Sequence, residues 1–291
     1  MVIRGFARLV VAPTEPLSTY LPDGSAAELR APLLRMDRLC GLSVVAVARM
    51  LAEDSSLRSG AIGDEVAIVL GSAHGCHKTD EEYYRSYLQG QPSPRLFAYT
   101  LPSSPIGELS IQYRLRGPGL TVTMGRTSGL CALAEADLLL ATHQEEACLV
   151  VAVEVAQPVL SPVLLQDAAV ALWLTRDEGT RSSELGTIES VSDSFCAGRG
   201  SVALGRVLSS LHGASDSPIY CDEETVRIGA AALEHRTLQR QSAPAGAVSG
   251  LWLLTEALHD AGEPSAVAVV DDAGHAAAAL LVRSPSVLRG V

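Results

Sequence analysis

Solid apolar runs alternate with helically spaced apolar positions along most of the chain's 291 residues. Val2–Val11 reads as a first strand, closed by Pro13 and Pro16. A polar loop over Pro13–Ala31 follows. Within Asp37–Ala52, residues Leu39, Leu42, Val45, Ala46, Ala48 and Leu51 recur at helical spacing, and Asp37 is placed to cap that helix. Glu65–Gly71, Ala147–Val155 and Gln166–Leu174 are continuous apolar runs, the pattern of strands covered on both faces. Leu120–Met124 is a shorter, β-branched run read the same way, and Asp80–Leu88 is a polar helix. Further on come a strand at Leu185–Val191, a helix at Ser201–Leu211, a strand at Pro218–Cys221 and a helix at Glu223–Glu234. An Ala- and Gly-rich helix over Pro244–Ala261 precedes a hairpin of Ser265–Asp271 and Ala276–Val282, turning at Asp272–Gly274. Strands and buried helices in both halves predict an internally duplicated α/β layering, although the halves share no visible sequence identity.

Composition narrows the class. Hydrophobic residues make up 47% of the chain and aromatics 4%, which favours a large core of small side chains over disorder. A formal net charge of −11 argues against a nucleic acid partner, which needs a basic face. The six cysteines include no CxxC pair and read as reduced, mostly buried thiols. The apolar N-terminal run is too short for a signal peptide, and charged residues or glycines interrupt every other apolar run before it reaches membrane-spanning length. A cytoplasmic location is expected.

The stretch that carries chemistry is GPGLTVTMGRTSGLCALAEADLLL, Gly117–Leu140. Its strand turns through Gly125, Arg126, Thr127, Ser128 and Gly129 into a helix rich in small residues. Such a turn lies at a helix N-terminus, where backbone N–H groups point outward and enzymes often hold a nucleophile. None of Arg126, Thr127 and Ser128 is an obviously activated one. The loop after the second strand carries His74, Cys76 and His77, which admit a metal pair or a Cys–His dyad. Their spacing matches no zinc site and no second ligand cluster lies nearby, so an ordinary loop is the favoured reading.

The Gly117–Leu140 stretch resembles the nucleophile elbow of the β-ketoacyl synthases, in the thiolase superfamily. That pattern is a Gly-Pro, a β-branched strand, a small residue, the catalytic Cys, Ser or Gly residues, then Leu and an Ala-rich helix. On it, Arg126 stands where the acyl-accepting Cys is expected. Val2, Ile3, Gly5 and Phe6, then Arg35-Met36-Asp37-Arg38, Gly71 and Gly75, Leu101–Pro102, Gly107–Tyr113 and Gly117–Pro118 follow the family's order. The resemblance implies a thiolase-like fold of two pseudo-duplicated βαβ halves, 1–163 and 164–291, layered α-β-α-β-α. Because the chain is shorter than a full synthase, it also implies shortened lid and pocket loops.

A condensing synthase further needs two His. Where the family has its first, in His-Gly-Thr-Gly-Thr after a strand, this chain has Cys221 and Asp222. Where the second precedes an Ala- and Gly-rich helix, the chain has Ala243 and Pro244. The Ala273-Gly274-His275-Ala276 turn resembles the family's Gly-Gly-x-Asn, with His275 at a position not used for catalysis. Arg126 cannot act as a nucleophile. It is left to fill the pocket, pair with an internal carboxylate, bind an anion such as a phosphopantetheine phosphate, or point to solvent.

The resemblance therefore implies a non-catalytic subunit of the chain-length-factor type, working in polyketide, polyene or fatty-acid-type biosynthesis. Such a subunit pairs with an active ketosynthase along the edge strand Leu120, Thr121, Val122, Thr123 and Met124, and an acyl carrier protein docks on the partner. No cofactor and no metal are implied. One alternative is an acyltransferase or other thiolase-fold enzyme using Ser128, Cys131 or Cys76. A second is a homodimeric scaffold.

Overall fold

The computed structural model describes residues 1–54, 57, 66–142, 145–157, 166–176, 185–211, 217–259 and 264–283. The continuous apolar runs become strands β1 (Val2–Val11), β2 (Val66–Gly71), β4 (Ala147–Glu154) and β5 (Asp167–Thr175), with β3 at Gly119–Val122. The later strands are β6 (Gly186–Phe195), β7 (Ile219–Cys221), β8 (Leu238–Arg240), β9 (Ser265–Val270) and β10 (His275–Arg283). The principal helices are α1 (Asp23–Leu33), α2 (Arg38–Glu53), α3 (His77–Leu88), α4 (Ser104–Tyr113), α5 (Ser128–Thr142), α6 (Gly200–Ser210), α7 (Glu223–Leu233) and α8 (Val248–His259). Glu65 and Ala261, expected to bound a strand and a helix, lie outside the described residues.

The strand order is β3-β2-β4-β5-β1-β6-β10-β9-β7-β8. Within β1–β5, β2 runs parallel to β3 and β4, and β5 is antiparallel to both β4 and β1. The second set repeats the arrangement: β7 runs parallel to β8 and β9, and β10 is antiparallel to both β9 and β6. The duplication that sequence identity does not display is thus plain in the topology. Strand pairing carries the first repeat through β5, so residue 163 falls before that repeat's last strand. The repeats join where Val2 and Ile3 of β1 meet Thr187 and Gly186 of β6.

The ten described strands form one hydrogen-bonded sheet, which the β1–β6 join divides into two halves, and five layers result. The β1–β5 half carries α2 and α4 on its outer face, burying Leu42, Met50 and Leu109. The β6–β10 half carries α6 and α7, with Leu204, Val207 and Leu233 in the core. Between the halves lie α5 and α8, sealed by Leu130, Leu133, Leu251 and Leu254. These two helices approach closely because each brings a glycine to the crossing. A Cβ on Gly129 would lie 2.3 Å from the Ala247 carbonyl oxygen, and one on Gly250 would lie 2.6 Å from Leu130 Cγ.

Asp37 caps α2 as expected, accepting the Cys40 N–H at 2.9 Å. Pro13–Ala31 is not a plain loop, since it contains a short turn of helix at Leu17–Tyr20 and most of α1. The helix formers Ala26, Ala27, Glu28, Leu29 and Arg30 sustain α1, but only Leu29 is buried, so no apolar stripe announces it. Strand β3 is not covered on both faces. Among the described strands it bounds the sheet, with Gly119 and Leu120 exposed, and Thr123 and Met124 fall beyond its end. The expected Pro244–Ala261 helix begins only at Val248.

Candidate functional site

The elbow forms between β3 and α5. Gly125 opens it at φ +57°, a left-handed conformation that suits glycine, and a Cβ there would lie 2.8 Å from a carboxylate oxygen of Asp271. The Thr127 hydroxyl donates to the Met124 carbonyl at 2.7 Å. Ser128 accepts the Met124 N–H at 2.7 Å and donates to the Gly125 carbonyl at 2.7 Å. Thr127 and Ser128 are both buried, and their hydroxyls serve to hold the turn.

The second repeat contains the same device. Gly246-Ala247-Val248-Ser249-Gly250 matches Gly125-Arg126-Thr127-Ser128-Gly129 in its Gly, Ser and Gly. Gly246 has φ +80°, and the Ser249 hydroxyl donates to its carbonyl at 3.1 Å.

Arg126 is largely turned away from solvent. Its guanidinium donates through Nη2 to Asp222 Oδ2, and through Nη1 to the Val270 carbonyl at 3.1 Å. Nη1 also lies 3.0 Å from Glu224 Oε2. The Arg126 and Asp222 side chains are 14% and 11% exposed. Among the described residues, Nε of Arg126 is buried without a partner. Asp222 has a second duty: its Oδ1 accepts the Thr225 N–H at 2.9 Å and caps α7. A charge-assisted pair thus joins the elbow of the first repeat to the helix start of the second.

A cavity of about 590 Å³ opens beside this pair, lined by Arg126, Asp222, Glu224, Arg240, Ala243 and Pro244 among others. Gly274 and His275 lie at the β9–β10 turn on the other side of the elbow. Asp271 holds that turn, its Oδ1 accepting both of their N–H groups at 2.9 Å and its Oδ2 lying 3.1 Å from His275 Nδ1. The His275 ring packs on Phe195 with centroids 4.7 Å apart.

The structure therefore brings Arg126 together with Asp222, Ala243 and Pro244 at the cavity, whereas Cys221, Gly274 and His275 do not line it. Reading the sequence missed Glu224, the Val270 carbonyl and Asp271. A signal was present in the run Asp222-Glu223-Glu224: three carboxylates at a helix start can answer an arginine elsewhere in the chain.

The thiols and hydroxyl weighed as alternative nucleophiles are placed differently. Burial pushes the Cys131 thiol up to about 11. Burial and the neighbouring Asp80 carboxylate push Cys76 up to about 12, and its thiol donates to Asp80 at 3.4 Å. His77 is exposed and bonds to neither. His74 turns instead to the buried Glu154, 3.2 Å away, whose hydrogen bond raises the imidazole pKa. Glu154 also accepts the Ser72 hydroxyl and the Ala73 N–H. Among the described residues, no group of three or more His, Cys, Asp or Glu is disposed to hold a metal ion. No described helix is long and apolar enough to cross a membrane.

No curated protein matches the chain in sequence. Among solved structures, the ishigamide ketosynthase/chain length factor aligns with TM-score 0.74 and 20% identity, over 97% of this chain and 99% of that one. A beta-ketoacyl synthase from Burkholderia phymatum gives 0.74 and 13% over the same shares. The apo AntDE:AntF complex, a type II PKS acyl-carrier protein with its ketosynthase bound to the hexaketide, gives 0.73 and 14%, again over 97% and 99%. At these identities the likeness is one of fold. The sequence model for the N-terminal domain of beta-ketoacyl synthase matches residues 24–208, well over half of the chain, and the chain belongs to that family.

Proposed function

We propose that the chain is a non-catalytic ketosynthase-like subunit that pairs with an active β-ketoacyl synthase in polyketide or fatty-acid-type assembly. The observation that carries this reading is Arg126, which occupies the elbow and is held by Asp222, Glu224 and the Val270 carbonyl. An arginine so engaged neither attacks an acyl group nor activates a neighbour. Ser128 is committed to its turn, and the Cys131 thiol is protonated at neutral pH.

Among the described residues, no strand pairs with the outer edge of β3, and this supports pairing. An antiparallel strand of a partner laid along that edge would extend the sheet across the interface. A ketosynthase/chain length factor and a ketosynthase complex with its acyl-carrier protein are among the structures of the same fold. With a net charge of −11, the chain leaves the docking of an acidic carrier to its partner subunit.

The test is co-expression with an intact ketosynthase, followed by mass determination and a condensation assay with an acyl-loaded carrier. A one-to-one complex that condenses only when both chains are present, and still does with Arg126→Ala, supports the reading. A homodimer indifferent to the synthase would instead indicate a scaffold. Condensation by the chain alone would restore it to the enzymes.

A further inference from the structure

A second cleft, of about 420 Å³, shares no residue with the Arg126 cavity. It lies between α1, the first turn of α3 and the helical turn Pro94–Phe97. Its wall is apolar, from Leu33, Leu34 and Leu96, and Leu34 is 79% exposed. Its rim is cationic, from Arg30, Lys78 and Arg95. Among the described residues, no hydrogen bond or ion pair engages any of these three side chains.

Arg38, which also lines the cleft, is already committed to Asp167 at 2.6 Å. Asp37 is likewise spent on the α2 cap and on the Thr79 hydroxyl, 2.9 Å away. That leaves three free cations against two carboxylates, Asp37 and Glu82, a local excess of positive charge on a chain whose net charge is −11. Lys78 is also the second residue of α3, where the helix dipole disfavours a positive charge. A cation placed against the local rule, beside two others and an open apolar wall, is the composition of a site for an anion with a hydrocarbon tail.

We propose that this cleft binds a small anionic amphiphile. Its phosphate or carboxylate head is held by Lys78, Arg95 and Arg30, and its short alkyl chain lies on Leu33, Leu34 and Leu96. The Arg126 site plays no part in it, so the assignment stands or falls separately from the subunit's role.

Calorimetric titration of the full chain at low salt tests it, with butyl, hexyl and octyl phosphate as probes. One saturable site is expected, strengthening about fourfold for each added methylene until the wall is covered. Lys78→Glu combined with Arg95→Glu should weaken binding at least tenfold, while Arg85→Glu, whose native partner is Glu81, should leave it unchanged. Octanoate run beside octyl phosphate identifies the preferred head, and saturable binding of either supports the site. Absence of saturable binding, affinity unmoved in the folded double variant, or equal binding of octyltrimethylammonium would overturn the proposal. So would inorganic phosphate binding as tightly as octyl phosphate. An acidic protein captured through Lys78 and Arg95 without any uptake of the alkyl phosphates would make the cleft a protein-docking surface instead.

Discussion

The ion pair between Arg126 and Asp222 predicts a measurable coupling between the two repeats. Arg126→Met keeps an unbranched side chain of similar reach and removes the charge, while Asp222→Asn keeps an oxygen able to cap α7. Exposed ion pairs contribute about 0.2–1 kcal/mol, whereas breaking a buried one costs about 3–5 kcal/mol. With side chains 14% and 11% exposed, this pair lies between those limits and nearer the buried end. Glu224, 37% exposed, remains for Arg126 when Asp222 is neutral and softens the loss. A coupling of about 2 kcal/mol follows. Urea unfolding of the wild type, both single variants and the double variant closes the cycle. Each single variant should lose about 2 kcal/mol, which for a chain of this size is about 4 °C in Tm. The double variant should lose little more than either one alone. Because the pair is mostly shielded, the coupling should persist in 0.5 M salt, a concentration that screens exposed pairs strongly. Purely additive losses, or a coupling abolished by salt, would refute the view of Arg126 as an internal clasp.

Four further outcomes are expected. Gly129→Ala should destabilise by about 3 kcal/mol, because its Cβ meets the Ala247 carbonyl at 2.3 Å and helices α5 and α8 must part. Gly107→Ala, in α4 with nothing within 4 Å of the new Cβ, should stabilise by about 0.5–1 kcal/mol, and thermal melts read both. The His74 pKa is raised in the folded state by its hydrogen bond to Glu154, so its stabilising contribution is full below the unfolded value near 6.5 and fades as pH climbs through the raised folded value. Urea midpoints should therefore fall from pH 6 toward higher pH, and His74→Gln should flatten that part of the profile; an unchanged profile would exclude His74. Finally, iodoacetamide at neutral pH should label Cys196, the half-buried thiol, well before Cys76 or Cys131. Mass mapping that finds Cys131 labelled first would point to an activated thiol.

The division between what the sequence revealed and what it hid follows from the range of the interactions. Strands such as Val66–Gly71 and Ala147–Glu154 were legible because every residue in them is buried, so the runs are apolar throughout apart from Glu154, which has hydrogen-bond partners. The elbow was legible because glycine, serine and glycine at fixed spacing answer local backbone needs. Helix α1 was hidden because it buries one residue, and β8 because it is three residues at an edge. Arg126 was conspicuous, yet its partners were not, since Asp222 and the Val270 carbonyl lie 96 and 144 residues away. Four outcomes for that arginine were open from sequence, and in the structure it is paired with the internal carboxylate of Asp222. The serine-glycine motif of the second repeat stood in plain sight, but only the matching strand order gives the comparison its meaning.

That matching order carries a consequence for substitution. The elbow of the first repeat is closed by Asp222, Val270 and Asp271 of the second, and the elbow of the second packs its Gly246 against Glu154 of the first. Each copy thus supplies the wall of its sibling's turn. A substitution at one elbow is therefore felt by the loops of the other copy. The arginine in one half and the carboxylates of Asp222 and Glu224 in the other are a single interaction, written in two places.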